Sequence, residues 1–355
     1  MTTPFQRLIP TPDSQKITLE KEGNWPAAVH RFTAETLWAL DMALLTGRPL
    51  LIRGKPGIGK SQIARAAANV MQVPFLPHVI DERSERDDLL YQYDAVARLA
   101  EAQICSLFAG PTDSPEALSE IRGRLAEENF IRPGMLWWAL NWDDAERQGN
   151  KYSQHCRSCP APANRGEVPN DAPCSAVVLI DEIDKADPAL PNGLLECLGT
   201  EGFRSVKLAQ AVSVPKGGKR PLIIFTTNEE RDLPPAFLRR CLVLTLRMPK
   251  EPEAAKRFLI EERARVVFSA ARISDSVCGQ VADLVLSHRL KKVPGGGERG
   301  AAEFLDLVTA LVKFAEAEVQ SDDPDDREVR AKREEVQKQW LQKLAEFVLR
   351  KTTEE

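Results

Sequence analysis

Nowhere does the 355-residue chain hold the roughly 20 consecutive apolar residues that a bilayer-crossing helix needs. Its opening segment, MTTPFQRLIPTPDSQK, has no apolar centre of the kind found in a secretory leader. A cytoplasmic location without membrane insertion is therefore expected. A surplus of basic charge is missing too: 48 Lys and Arg against 52 Asp and Glu leave a formal charge of −4. That argues against a whole-chain electrostatic footprint for nucleic acid, leaving room only for a local basic patch. There is no paired cysteine framework either. The seven cysteines are odd in number and scattered mostly through apolar segments, which favours reduced thiols over disulfides. What is present is ordinary globular material, 43% apolar and 28% charged, in a chain long enough for two domains and a sizeable core.

The stretch around which the rest is organised is Gly54, Lys55, Pro56, Gly57, Ile58, Gly59, Lys60 and Ser61, followed by Gln62. It satisfies Gly-x-x-x-x-Gly-Lys-[Ser/Thr] at every fixed position. A strand-like run, Pro49 to Arg53, precedes it, and a strong helix former, Gln62 to Met71, follows. The three glycines let the backbone turn tightly so that successive N–H groups converge on phosphate oxygens. The following helix adds the positive end of its dipole. Lys60 is then expected to reach the β- and γ-phosphates, and the Ser61 hydroxyl to ligate Mg²⁺. A glycine-rich turn with a surface lysine is the plainer alternative, and the flanking strand and helix argue against it.

A second run, Ala176 to Asp184 (AVVLIDEID), carries two adjacent carboxylates to the carboxyl end of a buried strand. Ligands bind there in open α/β sheets. Asp181 is expected to hold Mg²⁺, and Glu182 to orient and deprotonate an attacking water. A further buried strand, Pro221 to Asn228, ends on Asn228, placed to hold a water or a phosphate oxygen. Leu233 to Arg240 reads as a short helix ending in an arginine pair, and Cys241 to Leu246 as the last strand.

Between these landmarks the reading is coarser. Thr33 to Thr46 reads as a helix, Val73 to Ile80 as a strand, Glu85 to Cys105 as one long helix, and Glu116 to Glu128 as a charged helix. Trp137, Trp138 and Trp142 invite a base-stacking reading, but helical spacing favours core packing. Residues 143–175 read as a surface insertion, loop-like from Asn150 to Pro173. Cys156, Cys159 and Cys174 fall there; without a second Cys-x-x-Cys or a His pair, free thiols are favoured over zinc. Residues 202–215 alternate like a hairpin. From Pro249 the chain turns helical over 252–271, 275–291, 300–318 and 323–349, broken by glycines at 295–297. The last helix is expected to pack through Val329, Val336, Trp340, Leu344, Phe347 and Val348, a partner-binding helix being the alternative. The domains expected are an arm (1–26), an α/β nucleotide-binding domain (27–248) and an all-α domain (249–355).

LLIRGKPGIGKS, IRPGMLWWAL, VVLIDEIDKADP, TTNEE and LPPAFLRRC, in that order and before a run of helices, resemble the AAA+ ATPases, within them the MoxR and dynein-related branch. The resemblance spans roughly Leu37 to Leu246. It implies a P-loop NTPase α/β fold, a parallel sheet in order 5-1-4-3-2 flanked by helices and followed by an all-α lid, with ATP and Mg²⁺ bound and a homo-oligomeric ring, usually a hexamer. It further implies that Asn228 positions the lytic water and that Arg240 is the finger reaching a neighbouring subunit's nucleotide. Arg239 stands beside it where the family more often has an acid. Arg299 would be a second sensor in the lid. Three functions stay open: an ATPase that remodels or matures a partner protein, an ATP-gated scaffold controlling an effector, and a nucleic-acid-linked or GTP-using motor. The acidic charge disfavours the third.

Overall fold

The computed structural model describes residues 8–9, 15–108, 114–162, 168–208, 210–290, 300–321 and 326–349. Five strands form the central sheet: β1 (Leu50–Arg53), β2 (Phe75–Val79), β3 (Val177–Asp181), β4 (Leu222–Thr227) and β5 (Leu242–Thr245). Their order is β5-β1-β4-β3-β2. All six residues of β4 and the first four of β3 are buried. Such unbroken apolar runs suit parallel strands covered on both faces. Val177 faces Phe75 on one side and Leu222 on the other, in parallel register. The bonds Leu242 N–H to Pro49 O and Leu246 N–H to Arg53 O advance in step, so β5 also runs parallel to β1.

Helices Ala34–Thr46, Lys60–Met71, Ala189–Thr200 and Pro235–Arg240 alternate with the strands. Trp137 and Trp138 are buried with Leu136, and Trp137 Nε1 donates to Asp144 at 2.9 Å. Packing, not base stacking, explains these rings. The long helix expected over Glu85 to Cys105 is broken in the structure. Helix Arg86–Leu90 gives way to a strand, Tyr91–Tyr93, antiparallel to Ile131–Pro133, before helix Ala95–Phe108 begins. Two β-prone tyrosines find a partner strand, and that pairing outweighs the helix propensity around them. Residues expected as a loop from Asn150 instead extend helix Trp142–His155, whose start Asn141 caps by accepting the Asp144 N–H at 3.2 Å. The chain then folds back, Cys159 N–H donating to Ser153 Oγ at 2.9 Å, and Cys159 and Cys174 are buried. The hairpin is shorter than expected, Gly202–Phe203 against Val212–Ser213, and Val206 lies fully exposed beyond it.

Helices Pro252–Leu259, Asp275–Leu290, Ala301–Glu318 and Arg327–Leu349 pack around Phe304, Leu307, Val308 and Leu311. The first continues through a π-helical turn, Ile260–Ala264, into Arg265–Val267. The last helix packs Trp340 and Leu344 against the core as expected, but its most buried face is shifted from the expected stripe. Its buried residues are Arg333, Gln337, Leu341 and Ala345, while Phe347 is 82% exposed. Val348 lies outside the described side chains. Arg333 donates to Val319 O at 3.2 Å and Gln337 to Arg272 O at 2.8 Å. Both satisfy backbone carbonyls that loop ends would leave unpaired, a use of polar residues that an apolar stripe does not anticipate.

By contacts the chain divides into two compact units. One gathers residues 35–52 and 67–244, with the sheet; the other gathers 15–34, 53–66 and the residues from 245 on. The second unit thus holds the phosphate-type loop and the hairpin Lys16–Leu19 with Ala28–Arg31, together with the helices. Truncating Phe304, fully buried in the helical core, is expected to cost about 3–5 kcal/mol, whereas Phe347→Ala should stay within about 0.5 kcal/mol. Urea unfolding midpoints of the two variants check the contrast.

Candidate functional site

The loop Gly54–Ser61 has the backbone that its glycines predict: φ is 156° at Gly54, 75° at Gly57 and 90° at Gly59. A β-carbon on Gly57 would lie 2.2 Å from the Ala302 Cβ, and one on Gly54 would lie 2.7 Å from Leu246 O. Side chains are therefore excluded at both positions by contact as well as by φ. Lys60 is buried and donates from Nζ to Gly54 O at 2.6 Å and Lys55 O at 3.1 Å. Ser61 and Gln62, half-buried, open helix Lys60–Met71 just behind the loop. Lys55 and Pro56 face solvent and Ile58 is buried.

The carboxylates form a connected group at the ends of β3 and β4. Thr226 Oγ1 donates to Asp181 Oδ1 and accepts the Glu182 N–H at 3.0 Å. Asn228, buried just past β4, donates from Nδ2 to Glu182 Oε1 at 3.0 Å. Lys185 donates to the other oxygen, Glu182 Oε2, at 2.6 Å. That bond raises the Lys185 pKa above the ordinary range. Both oxygens of Glu182 are thus engaged, one by an amide and one by a cation. Lys185 was not anticipated from sequence; its signal was its position three residues beyond Glu182, on the next turn of chain.

Arg239 and Arg240 are exposed at the end of helix Pro235–Arg240. The helix is anchored by Phe237, fully buried and edge-to-face with Phe225 of β4. Its last carbonyls are held by Arg48, which donates to Arg239 O at 2.8 Å, Arg240 O at 3.2 Å and Cys241 O at 3.0 Å. A cation on the C-terminal carbonyls is favourable with respect to the helix dipole. Arg299 and the glycines at 295–297 lie outside the described residues.

Two residues near the loop were also missed. Arg263, in the π-helical turn, donates from Nη2 to Ile58 O at 3.0 Å and stacks on Phe258 at 4.7 Å. Burial holds its pKa below the usual arginine range. His30, in the N-terminal hairpin, is buried against Phe32 at 4.8 Å, and burial followed by the Arg263 charge lowers its pKa to about 4. Nothing local in the sequence marks either residue. Among the described residues no three His, Cys, Asp or Glu side chains gather as a metal cluster, and Cys156, Cys159 and Cys174 are free thiols.

Strand order 5-1-4-3-2, a glycine loop leading from β1 into a helix, and the helices that follow define a P-loop NTPase fold with a helical lid. No family model matches the chain, and no curated protein matches it. Among solved structures it is similar to the Thermotoga maritima RuvB Holliday junction branch migration motor, at 12% identity and TM-score 0.38, over 85% of this chain and 67% of that one. A proline-to-glycine mutant of the same protein gives 12% identity and TM-score 0.40, over 85% and 68%. Likeness of that order adds nothing to the chemistry, and the fold stands on the strand order.

His30 supplies a pH signature. Its folded pKa of about 4 lies below its ordinary 6.5, so the unfolded chain binds the proton more readily. Stability is then full above pH 6.5 and is lost as pH falls toward 4, by up to about 3 kcal/mol. Urea melts of wild type and His30→Gln across this range should diverge in slope, the variant being flatter by that amount.

Proposed function

We propose that the chain is a Mg²⁺-dependent ATPase of the AAA+ class, MoxR-like in branch, which assembles as a homo-oligomeric ring, hexameric by that resemblance, and remodels or matures a partner protein in the cytoplasm. The observation that carries the reading is Glu182 at the carboxyl end of β3, held by Asn228, in a chain with a complete phosphate loop. Sheet order supports it: β4 alone separates β1, which runs into the loop, from β3.

In this reading Gly54 to Gln62 wrap the polyphosphate with backbone N–H groups, and Lys60 transfers its Nζ from loop carbonyls to phosphate oxygens. The Ser61 hydroxyl and the Asp181 carboxylate are hard oxygen donors of the kind Mg²⁺ prefers, and so fit the ion. When bound, Mg²⁺ supplies charge neutralisation on the phosphates. Glu182 takes the proton of the attacking water, which Asn228 orients. Arg240, or Arg239 beside it, reaches a neighbouring subunit's nucleotide. Arg299 is proposed as the lid's contribution. The N-terminal arm, α/β domain and lid are proposed as 1–26, 27–248 and 249–355, with 143–175 as an insertion. No helix among the described residues is long and apolar enough to cross a membrane.

One observation favours the alternative of an ATP-gated scaffold controlling an effector. With both Glu182 oxygens engaged, an attacking water must displace an existing bond to reach the carboxylate, and the slow turnover this implies prolongs the ATP-bound state. Glu182→Gln separates the readings. It should retain nucleotide and lose turnover by about 10²-fold or more, and Arg240→Ala should retain nucleotide and lose about 10³-fold. Loss of partner maturation in Glu182→Gln supports remodelling, and full partner output from it supports the scaffold. Wild-type hydrolysis in Glu182→Gln would remove Glu182 from the role of base, and a wild type that does not hydrolyse ATP would remove the ATPase assignment itself.

The Lys185 contact makes a separate prediction. Freeing Glu182 Oε2 with Lys185→Met should raise basal hydrolysis by up to about fivefold, the worth of a half-exposed ion pair. Steady-state phosphate release measures it.

A further inference from the structure

Helix Ala95–Phe108 is inverted relative to an ordinary surface helix. Its two charged residues are used toward the protein: Arg98 binds Leu125 O and Glu127, and Glu101 binds Arg124. Its inner face carries Cys105, which is buried. The opposite stripe is apolar and faces solvent, with Val96 79% exposed, Leu99 61% and Leu107 80%. Exposed apolar residues on one outward face, here interrupted by Gln103 between Leu99 and Leu107, mark an interaction surface rather than a fold requirement.

The stripe leads into a groove of about 840 Å³, lined at its N-terminal end by Val96 and Ala100 and across from them by Arg132, Tyr152, Cys156 and Arg157. The groove's one carboxylate, Asp94, is already committed: its Oδ1 accepts the Ala97 N–H at 2.8 Å and its Oδ2 the Tyr152 hydroxyl at 3.2 Å. Arg132 and Arg157 are exposed and form no ion pair among the described residues. The groove therefore offers two guanidinium groups beside an apolar wall. Nucleic acid suits the cations but not the wall, and an apolar ligand alone leaves both charges unanswered. An occupant bearing both features matches the site.

We propose that this groove docks an acidic, leucine-type segment of a partner protein: carboxylates on Arg132 and Arg157, and aliphatic side chains along Val96, Leu99 and Leu107. Docking needs none of the residues placed in the nucleotide site, so it stands or falls apart from the ATPase reading.

A random-peptide display library selected on the full-length protein tests it. Enriched peptides are expected to combine Asp or Glu with Leu, Ile or Phe. As synthetic fluorescent peptides they should bind Arg132→Glu/Arg157→Glu, and separately Leu99→Ser, about tenfold or more weaker than wild type. Replacing their acids by lysine should restore binding to the double charge-reversal variant. All these positions are exposed, and unchanged melting temperature and phosphate release in the variants show that fold and nucleotide site are intact. Failure to enrich any peptide, enrichment without acidic bias, or equal binding by wild type and the charge-reversed protein would each overturn the proposal. So would a single-stranded DNA probe that binds wild type and is lost in the same double variant.

Discussion

A missing side chain at Gly57 is the constraint on which the candidate site depends. Ala302, in the first turn of helix Ala301–Glu318, occupies the place where a β-carbon would be. The loop therefore meets that helix backbone to side chain, closer than any other residue type permits. Arg263 adds a second grip by bonding Ile58 O, and the bond from Leu246 N–H to Arg53 O fixes where the loop leaves β1. Three contacts from distant parts of the chain thus set one turn of backbone, and Lys60 is held inside it.

The carboxylate group is governed by a different force. Asp181 and Glu182 are neighbours in sequence, and two like charges at a strand end repel unless each has its own donor. Thr226 serves Asp181, and Asn228 with Lys185 serves Glu182, so each carboxylate has its own donor, the half-exposed Lys185 pair contributing about 1 kcal/mol or less. Because Thr226 and Asn228 both belong to the end of β4, the register of β4 against β3 decides whether these donors arrive. Slipping the pair by one residue would turn each donor to the opposite face.

Where the determinants are local, they were legible. The glycine loop imposes its own backbone, and β1, β3 and β4 are apolar runs that only a covered strand explains. Asn228 was legible as a strand-end polar residue. The arginine pair was legible as a helix end, but the reason that end is ordered was not. Arg48 lies 191 residues before Arg239, and no periodicity links them. Arg263 lies 205 residues from Ile58 and was hidden for the same reason. Tyr91 to Tyr93 misled because strand pairing with Ile131 to Pro133 is a tertiary fact. The last helix misled because Arg333 and Gln337 are buried for their hydrogen bonds, which a hydrophobic stripe cannot report.

The backbone carries one more mark of the site. Among the described residues, four that are not glycine have left-handed φ: Gln72, Glu182, Glu201 and Glu229. Gln72 and Glu201 end helices, where a left-handed residue closes the last turn and is ordinary. Glu182 and Glu229 do not; each follows a strand of the central sheet, β3 and β4. Each is held in that conformation from the side, Glu182 N–H by Thr226 Oγ1 at 3.0 Å and Glu229 N–H by Thr227 Oγ1 at 2.9 Å. Such a conformation costs about 1–3 kcal/mol and persists where its surroundings over-determine it. Here the two threonines do so, and the turn after β3 presents the Glu182 carboxylate to Asn228 just past β4. Glycine at 182 would relieve the backbone and remove the carboxylate that Asn228 and Lys185 share, so the strain and the shared acceptor reside in one residue.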